Sequence, residues 1–188
     1  MSGLLSSFPR MHETKEVFEC PWFCIQEESW TNLSSTHGRP FYRIDSAPGV
    51  LVLALTQQKE IILVRQFRPA LRKHTLEIPA GSMEKGETPE ESAARELLEE
   101  TGYQAGTIHV VGSGHIMMNR YSARDYLVFA QQCQVTCSES NGPECTVLLK
   151  SLPEFRCMVA NGEFEHIPAL ALFSLVQWKL GEKLMGRR

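Results

Sequence analysis

The segment GSMEKGETPEESAARELLEETGY, residues 81–103, constrains this chain more than any other stretch, because both ends of a helix are written into it. Thr88 supplies an N-cap oxygen, Pro89 suits the first helical position, and Glu91 stands three past the cap, which completes a capping box. Gly102 closes the helix, since a left-handed backbone costs glycine little. Between the caps, Glu96, Glu99 and Glu100 fall at i, i+3 and i+4 and share one face within about 5 to 6 Å of each other. Ala93, Ala94, Leu97 and Leu98 are expected on the opposite side. At an effective dielectric of ~20, two unit charges at that separation repel by roughly 3 kcal/mol, so the three carboxylates call for a cation. Oxygen-only ligands in this arrangement suit Mg²⁺ or Mn²⁺, which retain waters and accept phosphate oxygens as further ligands. Taken alone, the spacing reads better as a solvated acidic face, the usual state of glutamate-rich helices.

The rest of the chain is strand-rich. Residues 17–30 and 39–45 are aromatic and β-branched, separated by the turn-prone TNLSSTHG, and are expected to form an N-terminal hairpin. GVLVLAL and KEIILVRQF make two strands about Thr56 to Gln58, followed by a loop at IPAGSMEKGETP. Further strands are expected at 107–113, 125–134 and 145–150, and two helices at the end, over about 151–161 and from Pro168 onward. Many strands around one central helix, with helices last, predict an α+β fold with a mixed sheet. At 188 residues the chain suits one full domain with a small appendage, divided as residues 1–45 and 46–188.

A net charge of -3 argues against binding long nucleic acid through many phosphate contacts. Apolar runs are shorter than a bilayer span and the first residues lack a signal-peptide core, so a soluble cytoplasmic protein without membrane contact is expected. The cysteines include Cys20 with Cys24 and Cys133 with Cys137. Read as strand residues four apart, the members of each pair would stand roughly 13 Å from one another, too far for one zinc ion, so free thiols are expected.

With those residues set out, the segment 81–103 resembles the Nudix box: Gly, five residues, Glu, seven residues, Arg-Glu-aliphatic, one residue, Glu-Glu, one residue, Gly and an aliphatic or aromatic residue, here Tyr103. The resemblance implies a Nudix fold, a mixed sheet sandwiched between helices, and metal-dependent hydrolysis of a pyrophosphate bond. It implies Glu96, Glu99, Glu100 and the Ala80 carbonyl as ligands of Mg²⁺, with Mn²⁺ as a substitute, and an Arg95–Glu87 pair fixing the loop to the helix. The general base implied is a glutamate on a later loop. Glu139 and Glu144 are the candidates, Glu144 at the family-like distance, and either reads equally well as an ordinary loop acid.

VRQFR at 64–68, LEIPAG at 76–81 and NGEFEHIPALALF resemble the ADP-ribose and nucleoside-diphosphate-sugar pyrophosphatase branch. That implies a nucleotide-sugar substrate and a homodimer whose N-terminal strands help build the partner's pocket. It makes Arg43, Arg65 and Arg68 phosphate-contact candidates and Trp22 and Phe41 a possible sandwich for the base, although aromatics in such a hairpin more often simply pack. Glu77 is either an outer-shell ligand or a strand-end acid. The chain departs from the branch at Asn119-Arg120-Tyr121-Ser122, where a proline is usual, and at Arg124, where an acid is usual. Tyr121 resembles an aromatic of dinucleoside-polyphosphate hydrolases. That chemistry, RNA-cap removal and a non-catalytic nucleotide-sensing module are the alternative readings.

Overall fold

The computed structural model describes residues 8–136, 145–181 and 184. The chain divides into two units, one reaching to Ala47 and including His115–Arg124, the other comprising Pro48–Gly114 and the chain from Asp125 onward.

In the first unit, β1 (Arg10–Glu19), β2 (Cys24–Thr31) and β3 (Phe41–Asp45) form an antiparallel sheet in that order. The expected hairpin is present as β2 with β3, and β1 adds a third strand to it. Residues 17–30 are split by a turn at which the Cys20 N–H donates to the Phe23 carbonyl at 3.0 Å. Pro21 inside it has no N–H to give to a ladder. Cys20 and Cys24 therefore lie across a turn, Glu19 opposite Cys24, rather than along one strand. Cys20, Cys24, Cys133, Cys145 and Cys157 are free thiols. The excursion His115–Arg124 is stitched to β3, with the Ile44 N–H donating to the Arg120 carbonyl at 2.8 Å and the Ser122 N–H to the Ile44 carbonyl at 3.0 Å.

The second unit holds β4 (Gly49–Thr56), β5 (Ile61–Arg68), β6 (Lys73–Glu77), β7 (Ala80–Ser82), α1 (Pro89–Thr101), β8 (Tyr103–Gln104), β9 (Thr107–Gly114), β10 (Asp125–Val135), β11 (Cys145–Lys150), α2 (Leu152–Ala160) and α3 (Ile167–Leu180). The sheet runs β11-β5-β4-β10-β8, with β6 beside β5, β7 beside β4 and β9 beside β10. It is mixed because β4 and β10 pair in parallel while the other pairs are antiparallel.

Side chains alternate across a strand, and β4 shows what that does here. Leu51, Leu53 and Leu55 join Phe155, Leu172 and Phe173 under α2 and α3. Val50, Val52 and Ala54 join Ala93 and Leu97 under α1. Helices thus cover both faces, and each fully buried Leu or Phe contributes ~1.5–3 kcal/mol of hydrophobic stabilisation.

The caps of α1 are as expected. The Thr88 and Glu91 side chains cap reciprocally, and Gly102 is left-handed at φ 72°. One expectation is corrected: Ala93 and Leu97 are buried, but Ala94 is exposed and Leu98 is 40% exposed. Residues 93 and 97 form an i, i+4 stripe, whereas 94 and 98 are turned about 100° from it by the 3.6-residue period. Ser151 and Glu154 repeat the capping box at α2.

Candidate active site

Three short pieces of backbone converge under α1: β7, the loop before Thr88 and the helix itself. The Glu96 carboxylate lies directly over Gly81, where a Cβ would collide with its oxygens. A glycine is required here by close approach, and this explains the first residue of the motif. One turn on, Glu100 accepts the Ala80 N–H at 3.1 Å.

Arg95 braces the whole. Its Nε and Nη2 fork onto Glu87 at 2.7 and 3.0 Å, Nη2 also reaches the Ser82 carbonyl at 3.0 Å, and Nη1 donates to Glu96 at 2.8 Å and Glu99 at 3.2 Å. One guanidinium therefore ties the loop, β7 and two of the helix carboxylates together. Lysine offers no planar fork that does this. The Glu84 N–H donates to Glu87 at 2.8 Å. Arg95 and that N–H hold the Glu87 carboxyl down at about 2.

Glu100 behaves in the opposite way. Burial, reinforced by the charge of Glu96 and only partly opposed by the Ala80 N–H, pushes it up to about 7. A buried carboxylate with too little positive charge around it would be relieved by a cation. Glu96 is mostly buried and Glu99 is 53% exposed, so the three differ in how far they can turn outward. Among the described residues no three acid, His or Cys side chains converge closely enough to hold a metal as they stand. Instead Glu96 and Glu99 face Arg95 and Glu100 faces Ala80. The donor set, carboxylates beside a main-chain segment, is nonetheless of the hard-oxygen kind that Mg²⁺ or Mn²⁺ takes. For Ala80 the contact in place is its N–H.

Beside this frame, Arg68 forks onto Glu77 at 2.7 and 2.6 Å, and Thr75 donates to Glu77 at 2.6 Å. Burial pushes the Glu77 carboxyl up, but those bonds outweigh it and leave the group below its ordinary value. Thr75 was not anticipated, although residues two apart on a strand share a face and β6, once seen, places it beside Glu77. Arg65, Arg68 and Glu77 line a cleft of about 610 Å³ bounded also by Leu71, Lys73, His74 and the Glu163–His166 stretch. Lys73 carried no motif signal in the sequence, and His166 stood inside NGEFEHIPALALF with no role assigned to it.

Within the N-terminal unit, Phe41, Arg43 and Tyr121 come together around a concavity of about 340 Å³ with His115, Met118, Arg120 and Ser122. The Arg120 guanidinium sits 4.4 Å from the Phe41 ring centre. Arg43 faces Glu28 at 2.7 Å and Asp45, and Tyr121 bonds Ser46. Trp22 is not part of this concavity. It is 78% exposed at the β1–β2 turn, beyond the end of β3 at which Cys24 faces Asp45, whereas Phe41 faces Glu28. Four strand residues, roughly 13 Å, separate those ends, so one chain does not sandwich a ring between Trp22 and Phe41. Glu139 and Glu144 lie outside the described residues.

The family model of the NUDIX domain matches residues 45–147, more than half of the chain. This chain belongs to the Nudix family. The Nudix segment includes β7, α1 and every box residue of the frame above. Two curated relatives are similar over shorter stretches. The ADP-ribose pyrophosphatase of Bacillus subtilis (strain 168) is 59% identical over 59 residues, 31% of this chain and 32% of that protein. The ADP-sugar pyrophosphatase of Mus musculus is 51% identical over 61 residues, 32% of this chain and 28% of that protein. The matched segment spans about a third of the length of these relatives. A solved structure titled as an ADP compounds hydrolase superposes with a TM-score of 0.78 at 20% identity, covering 92% of this chain and 95% of the other, and shows the fold to be that of a Nudix protein. No described helix is long and apolar enough to cross a membrane.

Proposed function

We propose that the protein hydrolyses the pyrophosphate bond of nucleoside diphosphate sugars, of the ADP-ribose or GDP-mannose type, to a nucleoside monophosphate and a sugar phosphate. The observation that carries this is the Glu96 carboxylate seated on Gly81 and braced by Arg95 to the loop of Glu87, beside the buried Glu100 held by the Ala80 N–H. Such a frame holds acidic oxygens within a fraction of an ångström of fixed positions, which positioning catalysis demands.

Glu96, Glu99, Glu100 and the Ala80 carbonyl would hold Mg²⁺, with Mn²⁺ as a substitute. When bound, that ion supplies neutralisation of the diphosphate charge and acidifies the attacking water. Arg95 keeps Glu96 in register while Glu99, the most exposed of the three, adjusts its carboxylate. Arg68, fixed by Glu77, and Arg65 receive phosphate oxygens from the β5 side. Glu144, or failing that Glu139, removes the water proton as the new O–P bond forms and the bridging P–O bond breaks, the bridging oxygen leaving on the second phosphate. The unit built on β1, β2 and β3 serves base binding and the pairing of two copies. Support for that is the edge strand β1, on which Met11, Val17 and Phe18 are 47%, 43% and 49% exposed, and the ring-bearing concavity at Phe41. The cytoplasm is the proposed compartment.

Incubation with ADP-ribose, GDP-mannose, a dinucleoside polyphosphate and capped RNA, each with Mg²⁺ and with Mn²⁺, tests the reading. Release of AMP or GMP with the sugar phosphate is expected, and turnover confined to the last two compounds would overturn it. Sedimentation of the purified chain tests the pairing, with a monomer at micromolar concentration as the contrary result.

A further inference from the structure

The cleft between the β5–β6 hairpin and the turn before α3 opens from the Arg68–Glu77 pair, whose charges are felt by Glu100. We propose that it receives the phosphorylated sugar half of the substrate, with Arg65 on the phosphate and His166, Lys73 and Glu165 on the hydroxyls. This rests on the pyrophosphatase reading above and names the place of the sugar half.

The lining argues for a sugar and against a base. It contains no Phe, Tyr or Trp, and of its two rings His74 is already engaged edge-on with Phe67 at 5.4 Å. A purine wants a flat aromatic face to stack on, which this cleft lacks. The pairing of charges is uneven as well. Arg68 is answered by Glu77 and Lys73 by Glu165, while Arg65 has no acid bonded to it among the described residues, the third acid of the lining being Glu163. The first turn of α3, which starts at the cleft, contains no acid either. A phosphate brought there finds the Arg65 guanidinium and a helix N-terminus.

His166 adds the selective group. Burial lowers its basicity, so the imidazole is neutral near pH 7. Its Nδ1 is buried with no hydrogen-bond partner among the described residues. A tautomer is ordinarily fixed by the bond made at the other nitrogen, and here nothing fixes it. The ring can therefore meet a hydroxyl as donor or as acceptor, the one group that accepts either offer. At the rim, Lys73 and Glu165 are 49% and 60% exposed. Exposed pairs of this kind are worth little, so they separate readily to offer an ammonium and a carboxylate to further hydroxyls.

The test titrates the whole protein with ribose 5-phosphate and, separately, with AMP by calorimetry, and repeats both with His166→Asn. Asparagine caps helices well, so α3 keeps its start in the variant. Ribose 5-phosphate affinity is expected to fall about fivefold, the worth of one hydrogen bond, with a smaller change for AMP. Failure of ribose 5-phosphate to bind the wild-type protein at millimolar concentration, or a loss equal on both ligands or larger on AMP, overturns the assignment. In turnover, the ratio of kcat/KM for ADP-ribose to that for the methyl ester of ADP, which keeps the diphosphate and lacks the sugar, should fall about fivefold in the variant. An unchanged ratio overturns it too. If the wild-type protein cleaves neither compound, the pyrophosphatase reading fails by itself, and the ribose 5-phosphate titration still decides the cleft.

Discussion

Around α1 one guanidinium gathers the polar groups of a loop, a strand and the helix, whereas around Phe41 smaller sets of bonds join β3 to β2 and to the excursion His115–Arg124. Arg95 alone bonds Glu87, Glu96, Glu99, Ser92 and the Ser82 carbonyl. Arg120 has the Phe41 ring and the Tyr42 carbonyl. The first region is cross-braced against movement and suits bond cleavage. In the second no described side chain gathers as many bonds as Arg95 does, so a single replacement disturbs less, which suits choosing among substrates. It is also where the sequence leaves the pattern of its branch, at Asn119 to Ser122 and Arg124.

If that division holds, substitutions in the frame act on kcat and substitutions in the concavity act on selectivity. The largest effect is expected from Glu100→Gln, which keeps shape and removes a carboxylate oxygen proposed to hold the metal: turnover in saturating Mg²⁺ should fall at least ~10²-fold. Near-normal turnover would remove Glu100 from the chemistry. Gly81→Ala comes next, because the added methyl displaces the Glu96 carboxylate. A drop of at least ~10-fold in kcat with ~1–3 kcal/mol of lost stability is expected, read from initial rates and from denaturant melts.

A smaller effect concerns pH. The folded-state value of Glu100, about 7, lies above that of an unfolded carboxyl. The neutral form thus stabilises the fold fully below the unfolded value, and that contribution is lost as pH rises through about 7. Metal-free protein should lose thermal stability between about pH 4.5 and 7, and Glu100→Gln should flatten that slope. Melting curves across that range without divalent cations decide it, and identical slopes in both proteins would contradict the burial argument. The smallest effect is expected at Arg120→Ala, which uncovers the Phe41 ring. The ratio of kcat/KM between an adenine and a guanine nucleotide sugar should shift by a few fold, the size of a cation–π contact, with kcat nearly unchanged. A loss of kcat there would blur the two regions into one.

The sequence revealed most where local chemistry decides structure. Thr88, Pro89, Glu91 and Gly102 name the ends of α1 without any knowledge of the rest of the chain. The buried strands β4, β5 and β10 were legible from their apolar runs. What was not legible depends on partners distant in sequence. β6 reads KHTLE, with no apolar alternation, and exists because Arg72 takes a left-handed turn at φ 54° and folds it against β5. β7 is three residues including a glycine, and its place beside β4 is a tertiary fact. The same limit hid Lys73 and left His166 without a role, since the two come from different elements and line one cleft only in the folded chain. The Arg95–Glu87 fork was accessible because eight residues of capped helix and loop bring its ends together.

The parallel pairing of β4 with β10 has a consequence for how the protein opens and closes. Parallel neighbours need a long connection, and here the excursion from Thr56 to Asp125 carries the whole of β7 and α1. The helix that bears the carboxylates is thus enclosed in the link between two central strands and packs its Ala93 and Leu97 onto both. It has little freedom to melt by itself. In hydrogen exchange its interior amides should open with the β4–β10 ladder as one cooperative unit, so that the catalytic geometry survives until the molecule as a whole unfolds.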